Sequence, residues 1–446
     1  MIDKHADRPP PVSLLDAFYY WLKLGFISFG GPAGQISMMH QELVEKRRWI
    51  SEHRFLHALN YTMVLPGPEA QQLATYIGWL MHGVWGGIVA GLLFVLPSFF
   101  MLVALTWVYL AYGDLPLVAA ILYGVKPAVT AIVVFAAYRI GSRALKNNAL
   151  RLMALVAFIA LFFINLPFPY IVIGAGIIGM VGGKFAPDTF RLGGHSKTTT
   201  ETFGAALIDD HTPIPAHAAF SLRKAVLICL CTLAIWCVAL GALIAWQGAE
   251  SDLVDMATFF TKAAFVTFGG AYAVLPYVHQ GGVETYAWLT TAQMMDGLAL
   301  GETTPGPLIM VVAFVGFVGG WTKALFGATL LPLAGFIAAS VVTFFTFLPS
   351  FLFILLGGPA VEASRNDVKL TAPLTGISAA VVGVILNLAV FFAMHVFWPQ
   401  GLTGPFDWLS LLIAVAAFVA MARLKLGIMT VIFASGLAGA LTLVVA

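Results

Sequence analysis

Charged side chains are scarce in this chain: Asp, Glu, Lys and Arg make up 10% of 446 residues, against about 25% in a soluble domain. That shortage excludes an ordinary soluble protein. The net charge is +2, too balanced to point to nucleic acid, which asks for a basic surface. Cysteine is nearly absent. Cys229, Cys231 and Cys237 share one apolar run, and 229 and 231, two apart on a helix, face different ways and cannot pair. They read as packing or lipid-facing residues. No His, Cys, Asp or Glu group has metal-ligand spacing and no Walker sequence appears, so neither a cofactor nor a built-in ATPase is expected. Gly174-x-Gly176-x-x-Gly179 has the form of a nucleotide fingerprint. It lies inside an apolar segment with no polar helix after it, and reads as close helix packing. The first 13 residues are polar, include Pro9-Pro10-Pro11, and lack a signal peptide's apolar region and cleavage site. The N-terminus is therefore expected in the cytoplasm.

What is abundant is apolar sequence, 60% of residues, in runs of about 20 that recur along the chain. The expected fold is an all-α polytopic membrane protein. It is also a repeat. Shifting the sequence by 239 residues aligns Lys23, Phe26, Phe29, Gly30 and Gly31 with Lys262, Phe265, Phe268, Gly269 and Gly270. The same shift sets His40-Gln41 on His279-Gln280, Trp49 on Trp288, and Pro66-Gly67-Pro68 on Pro305-Gly306-Pro307, with 14 identities between 23–68 and 262–307. Leu96-Pro97-Ser98-Phe99 matches Leu348-Pro349-Ser350-Phe351 after 13 extra residues in the second copy, and Gly176 and Gly179 match Gly436 and Gly439. Two homologous halves follow, 14–183 and 255–446, joined through 184–254 by a polar linker and a connecting helix at 223–247. The linker histidines His195, His211 and His217 read as solvated.

The extra helix makes the second half start on the opposite face if each half crosses the membrane an even number of times. Basic residues collect in cytoplasmic loops. Let each half begin with two broken, re-entrant pieces, followed in the first by spans near 84–111, 116–138, 150–165 and 169–183. Then 19 of the 23 basic residues fall on one side. They are Lys4, Arg8, Lys46, Arg47, Arg48, Arg54, Arg139, Arg143, Lys146, Arg151, Lys184, Arg191, Lys197, Arg223, Lys224, Arg365, Lys369, Arg423 and Lys425. An inverted repeat is therefore expected.

Each half should break twice. A glycine pair is a poor helix former, and Pro-Gly-Pro interrupts a helix while letting another start beyond it. Non-helical backbone at membrane depth must be buried or face a wet cavity, so the four breaks should gather. Their helix N-termini offer free N–H groups and partial positive charge, suited to an anion. Lys23 and Lys262, each seven residues before the first glycine, and Lys126, before Pro127, are candidate cations, because a charge in the bilayer is usually functional or paired. The competing reading is that these lysines snorkel to the interface. Glu69 and Glu302 beside the Pro-Gly-Pro motifs are candidate proton carriers. They align with Leu308 and Met63, so the site is not strictly two-fold. Asn60, Thr62, Gln71, Gln72, Thr75, Thr303 and Thr304 are candidate hydrogen-bond donors, and Trp49 and Trp288 candidate interface anchors.

Phe29-Gly30-Gly31-Pro32, the two Pro-Gly-Pro motifs, Phe268-Gly269-Gly270 and Leu96-Pro97-Ser98 together resemble the chromate ion transporter family in its long, two-domain form. The resemblance covers both halves and leaves out the linker. The second copy departs from it in having Ala271 in place of Pro32. It implies an inner-membrane transporter that extrudes chromate and confers resistance. The candidate site is then Lys23, Phe29, Gly30, Gly31, Pro66, Gly67, Pro68, Lys126, Lys262, Phe268, Gly269, Gly270, Thr304, Pro305, Gly306 and Pro307. The expected partners are a chromate or sulfate dianion and the lipid bilayer, with a homodimer left open. Uptake or exchange of sulfate on the same architecture, and an intramembrane enzyme acting on a phosphate-bearing lipid, are the alternatives. The second lacks any nucleophile or metal motif.

Overall fold

A computed structural model describes residues 9–445, apart from 114, 191–202, 210, 211, 214, 216, 269, 365–370 and 402. His195, His211, Gly269, Lys4, Arg8, Arg191, Lys197, Arg365 and Lys369 thus lie outside the described residues. The first half consists of α1 (Leu14–Ile27), α2 (Gly31–His40), α3 (Glu52–Thr62), α4 (Glu69–Tyr112), α5 (Pro116–Ala144), α6 (Asn148–Ile164) and α7 (Phe168–Phe185). A short α8 (Pro187–Phe190) and the connecting α9 (Leu222–Gln247) follow. The second half repeats the order with α10 (Asp252–Val266), α11 (Ala271–His279), α12 (Thr291–Thr303), α13 (Val311–Thr322), α14 (Leu331–Ser364), α15 (Thr371–Phe397), α16 (Trp408–Ala422) and α17 (Ile428–Val445). The helical pair α13 and α14 corresponds to α4, which bends at His82 and Gly83. The extra residues of the second copy separate that pair. Among the described residues, six helices (α4, α5, α7, α9, α14 and α15) are long and apolar enough to cross a membrane. α1, at 14 residues, is about 21 Å long and cannot.

The breaks fall where glycine and proline demand. α1 stops at Ser28, and α2 starts after Gly30, whose φ of +91° is left-handed. α3 ends before the first Pro-Gly-Pro, and α4 starts after Pro68. In the second copy the cap is Gly270, with φ +94° and ψ 174°. Gly270 is the repeat mate of Gly31, so α11 starts one position later than α2, and the two broken helices are capped at different points of the repeat.

After α2 and after α11 the chain widens into a π-turn, Gln41–Lys46 and Gln280–Thr285. A π-turn sets residue i+5 over residue i. His40 Nδ1 accordingly lies 3.1 Å from Glu45 Oε1, and His279 Nδ1 3.4 Å from Glu284 Oε1. This explains the repeated histidine. The repeated tryptophans are not interface anchors. Trp49 and Trp288 are buried, folded back so that their backbone N–H groups donate to the Leu43 and Gly282 carbonyls at 2.7 and 2.8 Å. Trp288 Nε1 also donates to Asp252 at 3.1 Å.

Contacts sort the turns into two ends. At one, His82 Nε2 meets the Val12 carbonyl (2.8 Å), His217 Nε2 meets the Trp79 carbonyl (2.9 Å), and Ser51 N–H donates to Ile208 O (2.9 Å). Part of the linker is therefore docked on the first half, with Ala206, Ile208 and Ala218 buried. At the other end, Phe168 N–H donates to Gln280 Oε1 (3.3 Å), and Trp246 stacks on Phe326 (5.1 Å). α14, 34 residues long, runs from the second end to the first, where Glu362 meets Arg54. α1 starts at the end where Val12 meets His82, and α10 follows α9 at the end where Trp246 stacks on Phe326. The halves also exchange partners: α17 packs on α5, and α7 on α15. A Cβ on Gly439 would lie 2.2 Å from Ala120 O, and one on Gly179 2.5 Å from Ala372 O. Both glycines admit close backbone approach; within Gly174-x-Gly176-x-x-Gly179 that packing role belongs to Gly179, since a Cβ on Gly174 would meet no atom within 4 Å and one on Gly176 only Ile377 at 3.4 Å. The α9 cysteines are exposed or half-buried on a helix with no buried residue.

Candidate functional site

The four breaks meet, and each Pro-Gly-Pro of one half is bonded to the broken first helix of the other. Gly67 N–H donates to Thr267 O at 2.7 Å, and Gly306 N–H donates to Ser28 O at 2.9 Å. Gly67 and Gly306 are repeat mates, as are Ser28 and Thr267, so the two bonds are related by the internal symmetry. Both glycines have left-handed φ, +118° and +97°, which side chains resist. Both also lack room. A Cβ on Gly67 would lie 2.7 Å from Ser350 Oγ, and one on Gly306 2.6 Å from Ser98 Cβ. The serine of each Leu-Pro-Ser-Phe motif therefore sits against the Pro-Gly-Pro glycine of the opposite half, fully buried.

Side-chain amides from the first half knit this crossing. Gln35 Nε2 donates to Ser28 O (3.1 Å) and to Gly306 O (2.5 Å), and Gln72 Nε2 to Pro66 O (2.7 Å). Gln71 Nε2 donates to Thr75 Oγ1 at 3.0 Å. The threonine hydroxyls do not serve as free donors: Thr62, Thr303 and Thr304 each bond a carbonyl three residues back, at 2.9–3.0 Å. A hydroxyl turned onto its own helix has spent its only proton. Asn60 is exposed.

The two copies differ. At the first, Gly30 is exposed and Gly31 half-buried, and no atom lies within 4 Å of where a Cβ on Gly31 would stand. The N-terminus of α2 is open. Phe29 and Pro66 beside it are half-buried, Pro68 buried. At the second, Gly270 is buried, Phe268 half-buried, and Thr304, Pro305, Gly306 and Pro307 buried. Tyr272 OH donates to Glu302, and Glu69 Oε1 lies 3.7 Å from the Cβ position on Gly270. Glu69, from the first half, and Glu302, from the second, thus converge on the N-terminus of α11. The first-copy counterparts of Tyr272, Glu302 and Glu69 are Ala33, Met63 and Leu308.

The lysines are placed less centrally. Lys23 and Lys262 are exposed, and so are Phe26 and Phe265 on the same helix faces. The crossing does not include them. A lysine on an outer face can extend its ammonium to the interface, and that placement favours the snorkelling reading. Lys126 lies 3.7 Å from Asp296 Oδ2, which also accepts from Tyr109 OH at 3.0 Å. Asp296, buried, was not singled out from the sequence; its only signal is a lone acid in an apolar stretch. Tyr272 gave no sequence signal, whereas Ser98 and Ser350 were visible as part of the repeat. Among the described residues no group of three His, Cys, Asp or Glu could hold a metal.

Comparison with known proteins agrees with this two-half frame. The model of the family described as "Chromate transporter" matches residues 15–180 and 254–440. The chain belongs to the chromate transporter family. The match occupies both halves and stops at the linker and α9. A "Chromate transport protein" of Pseudomonas aeruginosa is 34% identical over 97% of this chain and 93% of its own length. A "Probable chromate transport protein" of Synechococcus elongatus is 29% identical, covering 85% of each chain. The "Chromate transport protein" of Cupriavidus metallidurans is 29% identical over 86% of this chain and 84% of its own. No solved structure matches. With membership and six apolar helices long enough to span, the chain is a multi-pass membrane transporter and not an enzyme.

Proposed function

We propose that this chain carries chromate, or a tetrahedral dianion of the same shape, out of the cell across the inner membrane, and so confers chromate resistance. The observation that carries this reading is the symmetric pair of hydrogen bonds, Gly67 to Thr267 and Gly306 to Ser28. It supports one central site built jointly by two oppositely running halves. Such a site is what alternating access needs, since each half can rock against the other around a fixed position. The open N-terminus of α2 takes the anion there, because unpaired N–H groups and the helix dipole favour negative charge. Phe29, Gly30, Gly31, Pro66, Gly67 and Pro68 line it on the first copy. Phe268, Gly270, Thr304, Pro305, Gly306 and Pro307 form its second-copy counterpart. Lys23, Lys126 and Lys262 add positive field from a distance.

Glu69 and Glu302 crowd the N-terminus of α11, and they suit proton exchange against the anion. The halves form an inverted repeat in the membrane, residues 14–183 and 255–446, with 184–254 between them. The N-terminus and linker face the cytoplasm. Arg48 and Arg54 share an end with the docked linker, and that grouping supports the orientation through retention of positive loops. A negative-inside potential favours outward movement by about 2.3 kcal/mol per charge per 100 mV, hence about twice that for a dianion.

Radiolabelled chromate flux in proteoliposomes of the purified protein, under an imposed potential and with sulfate in competition, tests the proposal. Potential-driven flux blocked by sulfate is the expected result. Folded protein that moves no chromate under a potential or a proton gradient would contradict it.

A further inference from the structure

Arg54 near the start of α3 and Glu362 near the end of α14 make an ion pair of 2.9 Å between Nη1 and Oε2, with side chains only 6% and 2% exposed. The pair joins the two halves at the linker end. Tyr76 OH donates to the other oxygen of Glu362, and Tyr61 OH is already bonded to Phe353 O at 2.8 Å. The guanidinium is nevertheless under-used. Its Nε and Nη2 are buried and have no hydrogen-bond partner, although a guanidinium fork can hold a planar or tetrahedral oxyanion through two parallel N–H bonds. A buried arginine with one carboxylate and two idle donors is poorly explained by stability alone, since buried pairs contribute little net stabilisation.

The repeat sharpens this. Arg54 corresponds to Gln293, whose side chain caps its own helix by accepting from Thr290 N–H at 2.8 Å. At the repeat-equivalent position the second half thus carries a neutral amide in place of the cation. Building on the transport reading above, we propose that Arg54 is an anion-binding position on the path at the linker end. Glu362 is its resident counter-ion. When the seam between α3 and α14 opens, the oxyanion replaces the carboxylate on the guanidinium; when the seam closes, the carboxylate returns and releases the anion. The charge on Arg54 is exchanged between partners and never left bare, which avoids the large cost of an unpaired buried ion.

Chromate flux in proteoliposomes under a fixed potential tests this with Glu362→Gln, Arg54→Gln and the double variant. Glu362→Gln keeps an amide oxygen for Tyr76 and removes the competing charge; it leaves Arg54 without its counter-ion, so chromate should raise its thermal stability more than that of wild type, and in the folded fraction its KM should fall about fivefold. The double variant carries a neutral pair, so it folds where Arg54→Gln alone fails, and its KM should rise roughly tenfold. A wild-type KM in the double variant would overturn the proposal by reducing the pair to a structural clasp. A KM in Glu362→Gln equal to or above wild type would overturn it equally. If wild-type protein moves no chromate at all, the transport reading itself has failed and this proposal falls with it.

Discussion

The same break is built twice in this molecule and finished in two ways. At the N-terminus of α2 the backbone stands open, with Gly31 facing empty space and Ala33 two residues on. At the N-terminus of α11 the equivalent residue is Tyr272, bonded to Glu302, and Glu69 closes in from the other half. Repetition has supplied a symmetric frame, and three substitutions have divided the labour. On the transport reading proposed above, one copy keeps the electropositive helix end free for an anion. The other turns its helix end toward carboxylates, which the dipole stabilises and which that reading assigns to proton exchange.

The frame itself should be insensitive to that difference. Gly67→Ala and Gly306→Ala should be equally damaging, because each forces a side chain into left-handed φ and against a buried serine. Each is expected to cost about 1–3 kcal/mol in backbone strain alone, with the clash added, and to remove folded transporter as judged by detergent thermal stability. A large effect at only one of the two would break the symmetry argued for the crossing. The next substitutions should separate the copies. Gly270 combines φ +94° with ψ 174°, a region that is essentially glycine-only. Gly31 has φ +68° in open space. Gly270→Ala should therefore lower thermal stability more than Gly31→Ala, while Gly31→Ala should mainly raise the KM for chromate. The smallest effects belong to Lys23→Ala and Lys262→Ala. Both side chains are exposed, so flux should stay within about twofold of wild type, the scale of an outer-face charge. A loss of tenfold or more at either would return them to the path.

Much of this frame was legible in the sequence, since glycine, proline and their spacing act through the backbone. Gly30-Gly31, both Pro-Gly-Pro motifs and the 239-residue shift foretold four breaks and two halves, and the apolar runs foretold the spans α4, α5 and α7. The Leu-Pro-Ser-Phe serines were visible as repeats without a role. What stayed hidden depends on three-dimensional neighbours. Arg54 and Glu362 are 308 residues apart (362 − 54) and met only on folding. Lys126 looked like a lone cation until Asp296 was seen beside it. Trp49 and Trp288 looked like interface anchors because the pattern of a membrane edge and of a folded-back π-turn both place an aromatic after a polar loop.

The division between the copies can be tested by exchanging one pair of residues. Chromate flux should be measured across pH in proteoliposomes for Met63→Glu beside Glu302→Met. Met63→Glu puts a carboxylate at the open copy, and its KM for chromate should rise roughly tenfold, as expected when like charges meet in a site. Glu302→Met should keep the wild-type KM and lose the pH response of flux. The reverse outcome, affinity lost with Glu302 and kept with Met63→Glu, would place the anion at the second copy and contradict the account.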